Sequence, residues 1–254
     1  QTGLCQVRKV KDNKLWASSY AQVSSVALDP IEKKPLYEYH PQNQILSLGS
    51  IGCNLSCQFC QNYRIAQELD IPTRELTPQE AVDLAQQKDS FGLAYTYSEP
   101  LIWYEYVRDT AKLAHKNGLK NVLVTNGTIN PEPLKELLPY INAVNLDLKA
   151  FREEFYQEIC HGDLAAVKES AKIINSSDTH LELTTLIIPD LNDDPAEIKR
   201  LVAWIAALNP NIPLHLSRYF PKYKLDKPPT PRKTLYQAQE IAEEKLNNVY
   251  LGNI

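Results

Sequence analysis

Several features are scarce or missing in this sequence, and each absence excludes a class of protein. The 254 residues carry a net charge of -4, so no basic excess indicates a nucleic acid partner. No run of about 18 apolar residues is present, which argues against a membrane-spanning helix. The first residues have neither the basic nor the apolar region of a secretory signal. We therefore expect a cytoplasmic protein that has neither nucleic acid nor membrane as a partner.

Methionine is absent altogether, and the sequence begins at Gln1. From this we expect either a fragment of a longer chain or an incompletely represented one. No tandem repeat, low-complexity tract or flexible linker is visible, so nothing favours a second independent domain. At this length the chain can bury a full core. We predict a short β-rich N-terminal extension over residues 1–43 and a core domain over residues 44–254.

Cysteine is present but unevenly spread. The total of five is odd, which disfavours a disulfide framework. Cys53, Cys57 and Cys60 fall within eight residues, in the spacing Cys-x-x-x-Cys-x-x-Cys. Three thiolates on one short loop can bind one iron-sulfur cube and leave its fourth iron open to an exogenous ligand. A structural zinc site would use four protein ligands in paired knuckles, and no second Cys-x-x-Cys follows; zinc binding stays the weaker alternative.

The rest of the sequence alternates strand and helix signals. Short N-terminal strands are predicted at residues 14–17 and 21–28, and six core strands at residues 44–48, 93–97, 121–125, 143–148, 181–188 and 213–217. Helix starts lie between them, such as the capping box of Thr77 and Glu80 and the cap at Asp194. Six βα units in a row predict an α/β fold with a parallel sheet and helices outside it.

Polar residues follow the first four core strands. A parallel βα array places its chemistry at the carboxyl ends of the strands. The cysteine loop follows strand one, and the polar residues after strands two to four are Ser98, Glu99, Thr125, Asn126, Asp147 and Lys149. Each alone fits a helix start, a turn or a surface ion pair. Their shared position favours a single site at one edge of the sheet.

The cysteine motif, with Phe59 just before its last cysteine, resembles the signature of the radical S-adenosylmethionine (SAM) superfamily. Over nearly the whole chain, the order of elements is similar to the activating enzymes of glycyl radical enzymes, such as that of pyruvate formate-lyase. It is most similar to the radical SAM enzyme of the AmmeMemoRadiSam system. The segments that carry this resemblance are residues 29–36, 52–63, 95–100 and 145–149. The resemblance implies a partial (β/α)6 TIM-type barrel, the radical SAM core.

The same resemblance implies cofactors and their ligands. Cys53, Cys57 and Cys60 would bind a [4Fe-4S] cluster whose fourth iron takes the amino and carboxylate groups of SAM. The residues implied at SAM are Phe59, Asn62, Ser98, Glu99, Thr125, Asn126, Asp147 and Lys149. The implied activity is that of an oxidoreductase: the reduced cluster cleaves SAM, and the 5'-deoxyadenosyl radical abstracts hydrogen from a substrate.

Two positions depart from the family pattern or lie outside it. The activating enzymes often carry Asp before the Thr-Asn-Gly sequence, as part of a cation site, whereas this chain has Val124 there. Cys160 matches no known chemistry of the family, and we expect a buried thiol.

The expected partners lie at the rim of the barrel. A six-strand sheet is too short to close, so we expect an open flank that admits a protein substrate, as in glycyl radical activation. The loop at residues 218–225 mixes aromatic and cationic side chains, Tyr219 and Lys222 among them, and suits a peptide or an acidic partner; a solvated basic loop is the alternative. An electron donor such as flavodoxin or ferredoxin is expected as well.

Two other functions stay open at this point. One is radical modification of a small molecule or of a Memo-type partner. The other belongs to a different class, an iron-sulfur electron-transfer protein or a zinc-binding protein. Binding of SAM separates the first from the second, because neither electron transfer nor zinc binding needs the polar residues after strands two to four.

Overall fold

The computed structural model describes residues 2–68 and 71–254. Its strands are β1 (Arg8–Lys11), β2 (Lys14–Ala17), β3 (Gln22–Val23), β4 (Ser25–Pro30), β5 (Gln44–Gly49), β6 (Arg74–Glu75), β7 (Gly92–Tyr95), β8 (Lys120–Thr125), β9 (Ala143–Asp147), β10 (His180–Ile187), β11 (Leu214–Arg218) and β12 (Val249–Gly252). Its α-helices are α1 (Tyr63–Gln67), α2 (Pro78–Gln87), α3 (Tyr104–Lys116), α4 (Pro131–Leu137), α5 (Glu153–Phe155), α6 (Leu164–Asn175), α7 (Pro195–Leu208) and α8 (Arg232–Glu243). Short 3-10 turns lie at Ile31–Lys33, Pro100–Trp103 and Leu138–Tyr140, and a π-helical turn lies at Tyr156–Cys160.

The main sheet, in the part of the chain that the structure describes, has eight strands in the order β12-β11-β10-β9-β8-β7-β5-β4. Neighbouring strands are parallel, apart from β4 and β5, which are antiparallel. The six predicted core strands are confirmed as β5 and β7 to β11. Their outward side chains, such as Leu93, Leu123 and Leu183, pack with the helices in one large core. The fold is therefore the predicted α/β partial barrel of the TIM type.

At both edges the sheet differs from the prediction. At one edge, β12 is an unpredicted parallel strand; its four residues are all half-buried and give no alternating signal. At the other edge, the bounds of the predicted strand over residues 21–28 are wrong, because two strands, β3 and β4, take its place. Ser24 separates them: its amide and its hydroxyl donate to the Gly49 carbonyl at the end of β5. β4 then pairs along its whole length with β5. The boundary at residues 43 and 44 stays a prediction.

The segment between β4 and β5 enters the barrel. Its side chains Ile31 and Leu36 are fully buried against residues near the amino ends of the strands, namely Ile45, Ala94, Val122 and Ala143. This apolar layer closes the barrel at the end opposite the cysteine loop. We call residues 31–43 the plug segment.

The edge strands β4 and β12 do not pair with each other in the described sheet, so the barrel stays open there, as predicted. The plug segment fills part of the gap. The ring of Tyr37 contacts His215 and Tyr250, with centroids 4.7 and 5.0 Å apart. Part of the expected open flank is therefore occupied by the chain itself.

Within residues 2–68 and 71–254, we find no helix whose length and apolar content would suffice to span a bilayer.

Candidate active site

The cysteine loop leaves β5 through a sharp turn at Gly52. This glycine has φ +87°, and a Cβ there would lie 2.8 Å from the carbonyl oxygen of Cys5. Further along, the amides of Ser56 and Gln58 donate to the carbonyls of Cys160 and Ile159, each at 3.0 Å. The π-helical turn that ends at Cys160 thus braces the loop from the other side.

The three thiols of the loop lie close together at the carboxyl edge of the sheet. Cys57 is buried, and Cys53 and Cys60 are half-buried. Cys53 Sγ accepts a hydrogen bond from the Leu55 amide at 3.4 Å and another from Asn126 Nδ2 at 3.6 Å. Among the described residues, no three His, Cys, Asp or Glu side chains could hold a single metal ion. Thiols with N-H donors at sulfur fit an iron-sulfur cluster, in which each thiolate binds a different iron.

Cys160 is fully buried, so the prediction of a buried thiol is confirmed. The neighbouring Cys160 thiol lowers the pKa of Cys57, and Cys57 in turn raises the pKa of Cys160. Burial raises the pKa of Cys53.

Glu99 connects the ends of β7 and β8. Its side chain is 2% exposed and accepts hydrogen bonds from Thr125 Oγ1 at 2.6 Å, the Asn126 amide at 2.8 Å and the Leu101 amide at 2.9 Å. Burial raises the pKa of Glu99 to about 7, although these bonds oppose the shift. Its neighbour Ser98 shares a hydrogen bond of 2.9 Å with the hydroxyl of Ser50. Glu99 therefore holds the polar residues of the third strand end in place.

Two residues at this edge, Asn54 and Tyr97, were missed in the sequence analysis. Asn54 Oδ1 accepts from Asn126 Nδ2 at 2.9 Å, and Asn54 Nδ2 donates to the Thr128 carbonyl at 2.8 Å. Asn62 Nδ2 donates to the carbonyl of Tyr97 at 2.8 Å. Tyr97 has φ +69°, which is a rare conformation for a bulky residue and typical of functional sites. The pattern that could have indicated Tyr97 is its place directly before Ser98 and Glu99.

Asp147 and Lys149 form an ion pair at the fourth strand end. Lys149 Nζ lies 2.8 Å from Asp147 Oδ2 and 5.9 Å from the centre of the Phe59 ring. Burial alone would lower the pKa of Lys149, but Asp147 and the neighbouring thiols outweigh burial and raise that pKa above its ordinary value. The backbone amide of Lys149 donates to Tyr156 Oη at 3.0 Å, which fixes the turn after the strand.

All eleven candidate residues line one cavity of about 560 Å³. They are Cys53, Cys57, Phe59, Cys60, Asn62, Ser98, Glu99, Thr125, Asn126, Asp147 and Lys149. The cavity continues into the barrel as far as the plug segment, where Lys34 and His215 lie in its wall. The eleven candidate residues therefore lie together at the carboxyl edge of the sheet, as the sequence indicated. Their roles toward a cofactor stay predictions.

The loop at residues 218–225 lies over the cysteine loop. Tyr219 is only 1% exposed, and its hydroxyl donates to the Leu225 carbonyl at 2.7 Å. The expectation that Tyr219 grips a partner is therefore wrong, because the side chain is used inside the loop. Lys222 and Tyr223 are exposed at the surface.

A partial βα barrel with a three-cysteine loop after its first parallel strand defines the class of protein: an α/β barrel with a cysteine-lined site at its carboxyl edge. A sequence model of the Radical SAM superfamily matches residues 48–202. The chain belongs to this superfamily. Membership implies SAM and a [4Fe-4S] cluster as cofactors.

Individual relatives and one solved structure are similar to this chain. The uncharacterized protein MJ0808 of Methanocaldococcus jannaschii is 41% identical over 259 residues, which cover 100% of this chain and 77% of that protein. The pyruvate formate-lyase 1-activating enzyme of Escherichia coli is 26% identical over 157 residues, which cover 59% of this chain and 63% of that enzyme. A domain of a pyruvate-formate lyase-activating enzyme from Bacteroides vulgatus superimposes with a TM-score of 0.56 at 20% identity, covering 64% of this chain and 99% of that domain. This last likeness is one of fold.

Proposed function

We propose that this protein is a radical SAM enzyme that cleaves SAM reductively and abstracts hydrogen from a protein substrate with the 5'-deoxyadenosyl radical. The observation that carries the proposal is the single cavity that all eleven candidate residues line at the carboxyl edge of the barrel. When bound by Cys53, Cys57 and Cys60, a [4Fe-4S] cluster would supply the electron for this cleavage.

The polar residues of the cavity are proposed to bind and orient SAM. The amino and carboxylate groups of the methionyl part of SAM need an acceptor for N-H and a cation, and the half-buried pair of Asp147 and Lys149 offers both. The ring of Phe59, which packs beside Phe155 in the cavity wall, is proposed to lie against the adenine. Glu99 acts through Thr125 and is a positioning residue in this scheme.

The surroundings of the cavity support radical chemistry, because such a reaction needs a site that keeps out water and stray hydrogen donors. The loop at residues 218–225 covers the cysteine loop through the hydrogen bond from the Lys224 amide to the Gln58 carbonyl. At the opposite end, Ile31 and Leu36 close the barrel with apolar side chains. The carboxyl edge and the unfilled part of the gap between β4 and β12 remain open.

A small-molecule substrate is the second candidate. The relative named as an activating enzyme supports a protein substrate. However, the cavity of about 560 Å³ would also have to hold the cluster and SAM, and it is closed below by the plug segment. This favours a small molecule or a single inserted side chain over a long loop. We also propose an electron donor such as flavodoxin or ferredoxin as a partner.

Anaerobic reconstitution with iron and sulfide tests the proposal. The protein should hold about four irons and four sulfides and should form 5'-deoxyadenosine from SAM with a strong reductant. Replacing Cys53, Cys57 and Cys60 together by alanine should abolish both, whereas Cys5→Ala should keep the iron, since Cys5 lies outside the cavity wall. Stoichiometric zinc without iron-sulfur absorption, or no 5'-deoxyadenosine, would reject the proposed activity.

The substrate class is tested in the same preparation. A protein-based radical, seen by electron paramagnetic resonance after addition of a candidate glycyl radical enzyme, would support a protein substrate. If deuterium from labelled small molecules enters 5'-deoxyadenosine instead, the second candidate holds.

A further inference from the structure

The inner part of the cavity is polar, and its charges are not used by the proposed SAM contacts. Here the plug segment faces the inward side of β10 and β11. Lys33, Lys34 and Tyr37 line the cavity from the plug, and Thr184 and His215 line it from the sheet. Whether this wall can bind a ligand depends on which of its hydrogen-bonding groups are still free.

The carboxylate of Asp29 already accepts three hydrogen bonds. Its Oδ2 accepts from Lys34 Nζ at 2.8 Å and from Tyr97 Oη at 2.6 Å, and its Oδ1 accepts from Lys33 Nζ at 3.3 Å. Burial alone would raise the pKa of Asp29, but the bonds from Lys34 and Tyr97 outweigh burial and lower it. Asp29 is therefore a fixed anion of the wall with little capacity to accept from a ligand.

The second buried carboxylate, Glu182, is used as well. Its Oε1 accepts from the Glu38 amide and from His180 Nε2, both at 2.9 Å. Its Oε2 accepts from the Tyr37 amide at 3.1 Å and from His215 Nε2 at 2.6 Å. With two bonds on each oxygen, Glu182 locks the plug segment to the sheet.

The ammonium of Lys34, in contrast, makes fewer hydrogen bonds than it can donate. The side chain of Lys34 is 2% exposed, yet among the described residues the only hydrogen bond from its ammonium goes to Asp29. An ammonium has three N-H donors, so two are left for a ligand. Its other close neighbour is the ring of Tyr97, 4.6 Å away. Burial lowers the pKa of Lys34, as expected for a cation short of solvation.

A second cationic donor lies beside Lys34. Lys33, whose side chain is 66% exposed, adds a second ammonium to the wall, and both lysines share the single carboxylate of Asp29. Glu32 also lines the cavity, but its Oε1 accepts from the Gln42 amide at 2.5 Å within the plug segment. Lys34 and Lys33 thus bring free N-H donors to the wall, whereas most of the nearby carboxylate oxygens already accept hydrogen bonds.

We infer that the inner part of the cavity binds an anionic group of the substrate, a carboxylate or a phosphate, with Lys34 as its main ligand and Lys33 as a second cation. This inference rests on the proposed function, since it takes the space beside SAM as the substrate site. The same chemistry can come from a free small anion or from a carboxylate of a peptide.

Calorimetric titration of the full-length, cluster-free protein tests the inference without SAM. The probes are inorganic phosphate, acetate, and two short peptides that differ only in a C-terminal carboxylate or carboxamide. The wild type should bind at least one anionic probe, and Lys34→Met should weaken that binding by about tenfold or more. Lys168→Met is the matched control: Lys168 lies 4.8 Å from the Phe151 ring and does not line the cavity, so its removal should change nothing.

Asp29→Asn gives an opposite expectation. It removes the anion that competes for Lys34, so the same probe should bind several-fold more tightly. Should this variant be unstable, phosphate should raise its melting temperature more than that of the wild type. Binding of phosphate or acetate alone identifies a free anion as the source; preference for the carboxylate peptide over the carboxamide identifies a peptide.

Four results would overturn the inference: no probe bound by the wild type, equal binding by Lys34→Met, equal loss in Lys168→Met, or weaker binding by Asp29→Asn. These titrations are separate from SAM cleavage. A wild type that forms 5'-deoxyadenosine but binds no anion rejects this inference alone. One that binds the anion through Lys34 but does not cleave SAM rejects the proposed function alone.

Discussion

Tyr63 and Tyr223 stack on each other, with ring centroids 4.8 Å apart and ring planes at 14°. Tyr63 starts the helix after the cysteine loop, and Tyr223 lies in the loop after β11. Nearby, the Lys224 amide donates to the Gln58 carbonyl at 2.9 Å. The two contacts fasten the outer loop over the cysteines.

The first prediction concerns this stack. Tyr223→Ala should remove about 1 kcal/mol of aromatic pairing and loosen the loop, so the Lys224 amide should exchange its hydrogen about fivefold faster. Tyr223→Phe keeps both rings and should exchange like the wild type. Hydrogen exchange followed by mass spectrometry measures this. Equal exchange in all three proteins would mean that the loop is held by other contacts.

The second prediction compares two glycines with positive φ. Gly52 and Gly118 have φ +87° and +77°, so alanine at either position should cost about 1 kcal/mol in backbone strain. Only Gly52 also meets a backbone atom, the Cys5 carbonyl, whereas nothing lies within 4 Å of a Cβ at Gly118. Gly52→Ala should therefore displace Cys53 and reduce the iron content of reconstituted protein. If Gly118→Ala loses as much iron, the effect is general instability.

The third prediction concerns Asp147 and Lys149. If they orient SAM, Asp147→Asn or Lys149→Met should weaken SAM binding by about tenfold or more, because each leaves one charge of SAM without its partner. The iron content should stay the same, since the cysteines lie on another loop. Equilibrium binding of SAM under anaerobic conditions measures this. The pair of Lys227 and Asp190, 3.1 Å apart and outside the cavity wall, provides matched control variants that should bind SAM normally.

The fourth prediction follows from the pKa of Glu99, which is about 7 in the fold against an ordinary 4.5. A raised carboxyl pKa means that the folded state binds the extra proton, so this group makes the free energy of unfolding fall as the pH rises from about 4.5 to about 7. The loss should reach at most about 3 kcal/mol. Urea unfolding of cluster-free protein at about pH 5 and about pH 8 should show this decline in the wild type and a smaller one in Glu99→Gln. An equal pH dependence in both would contradict it.

The fifth prediction concerns Glu182, whose pKa is lowered to about 2 by His180, His215 and two backbone amides, against the effect of burial. A lowered carboxyl pKa stabilises the fold above about pH 4.5, and that contribution is lost as the pH falls toward 2. At neutral pH, Glu182→Gln should lower the free energy of unfolding by about 3 kcal/mol. Glu169→Gln removes a half-exposed pair with Lys172 and should cost under about 1 kcal/mol. A comparable loss of unfolding free energy in both variants, measured by urea unfolding, would contradict this prediction.

Local signals allowed most of the sheet to be predicted. Strands such as β8 have an apolar centre, residues 122–124, followed by turn residues, and the capping box of Thr77 and Glu80 is confirmed as the start of α2. The grouping of the candidate residues could also be predicted, because parallel strands end at one edge.

The polar interior could not be predicted in the same way. In β10, polar His180, Glu182 and Thr184 alternate with apolar neighbours, which is typical of a strand with one face in water. That this face turns inward depends on how the whole barrel curves and on the plug segment that meets it. The partners of Glu182, the amides of Tyr37 and Glu38, are 145 and 144 residues away, so no local pattern contains them.

The plug segment has a consequence for the synthesis of the chain. Its amide at Tyr37 bonds to a residue 145 positions later, and Glu38 bonds to Tyr250, 212 positions later. A ribosome that adds about 5 to 20 residues per second needs roughly 10 to 40 s between making the plug and making β12. During that time the apolar neighbours of Ile31 and Leu36 are complete once Ala143 has been made, but the Tyr37 amide and the Glu38 carboxylate still lack their partners. We therefore expect the seating of residues 31–43 to be a late, slow step of folding, and the nascent chain to depend on chaperones until it is complete.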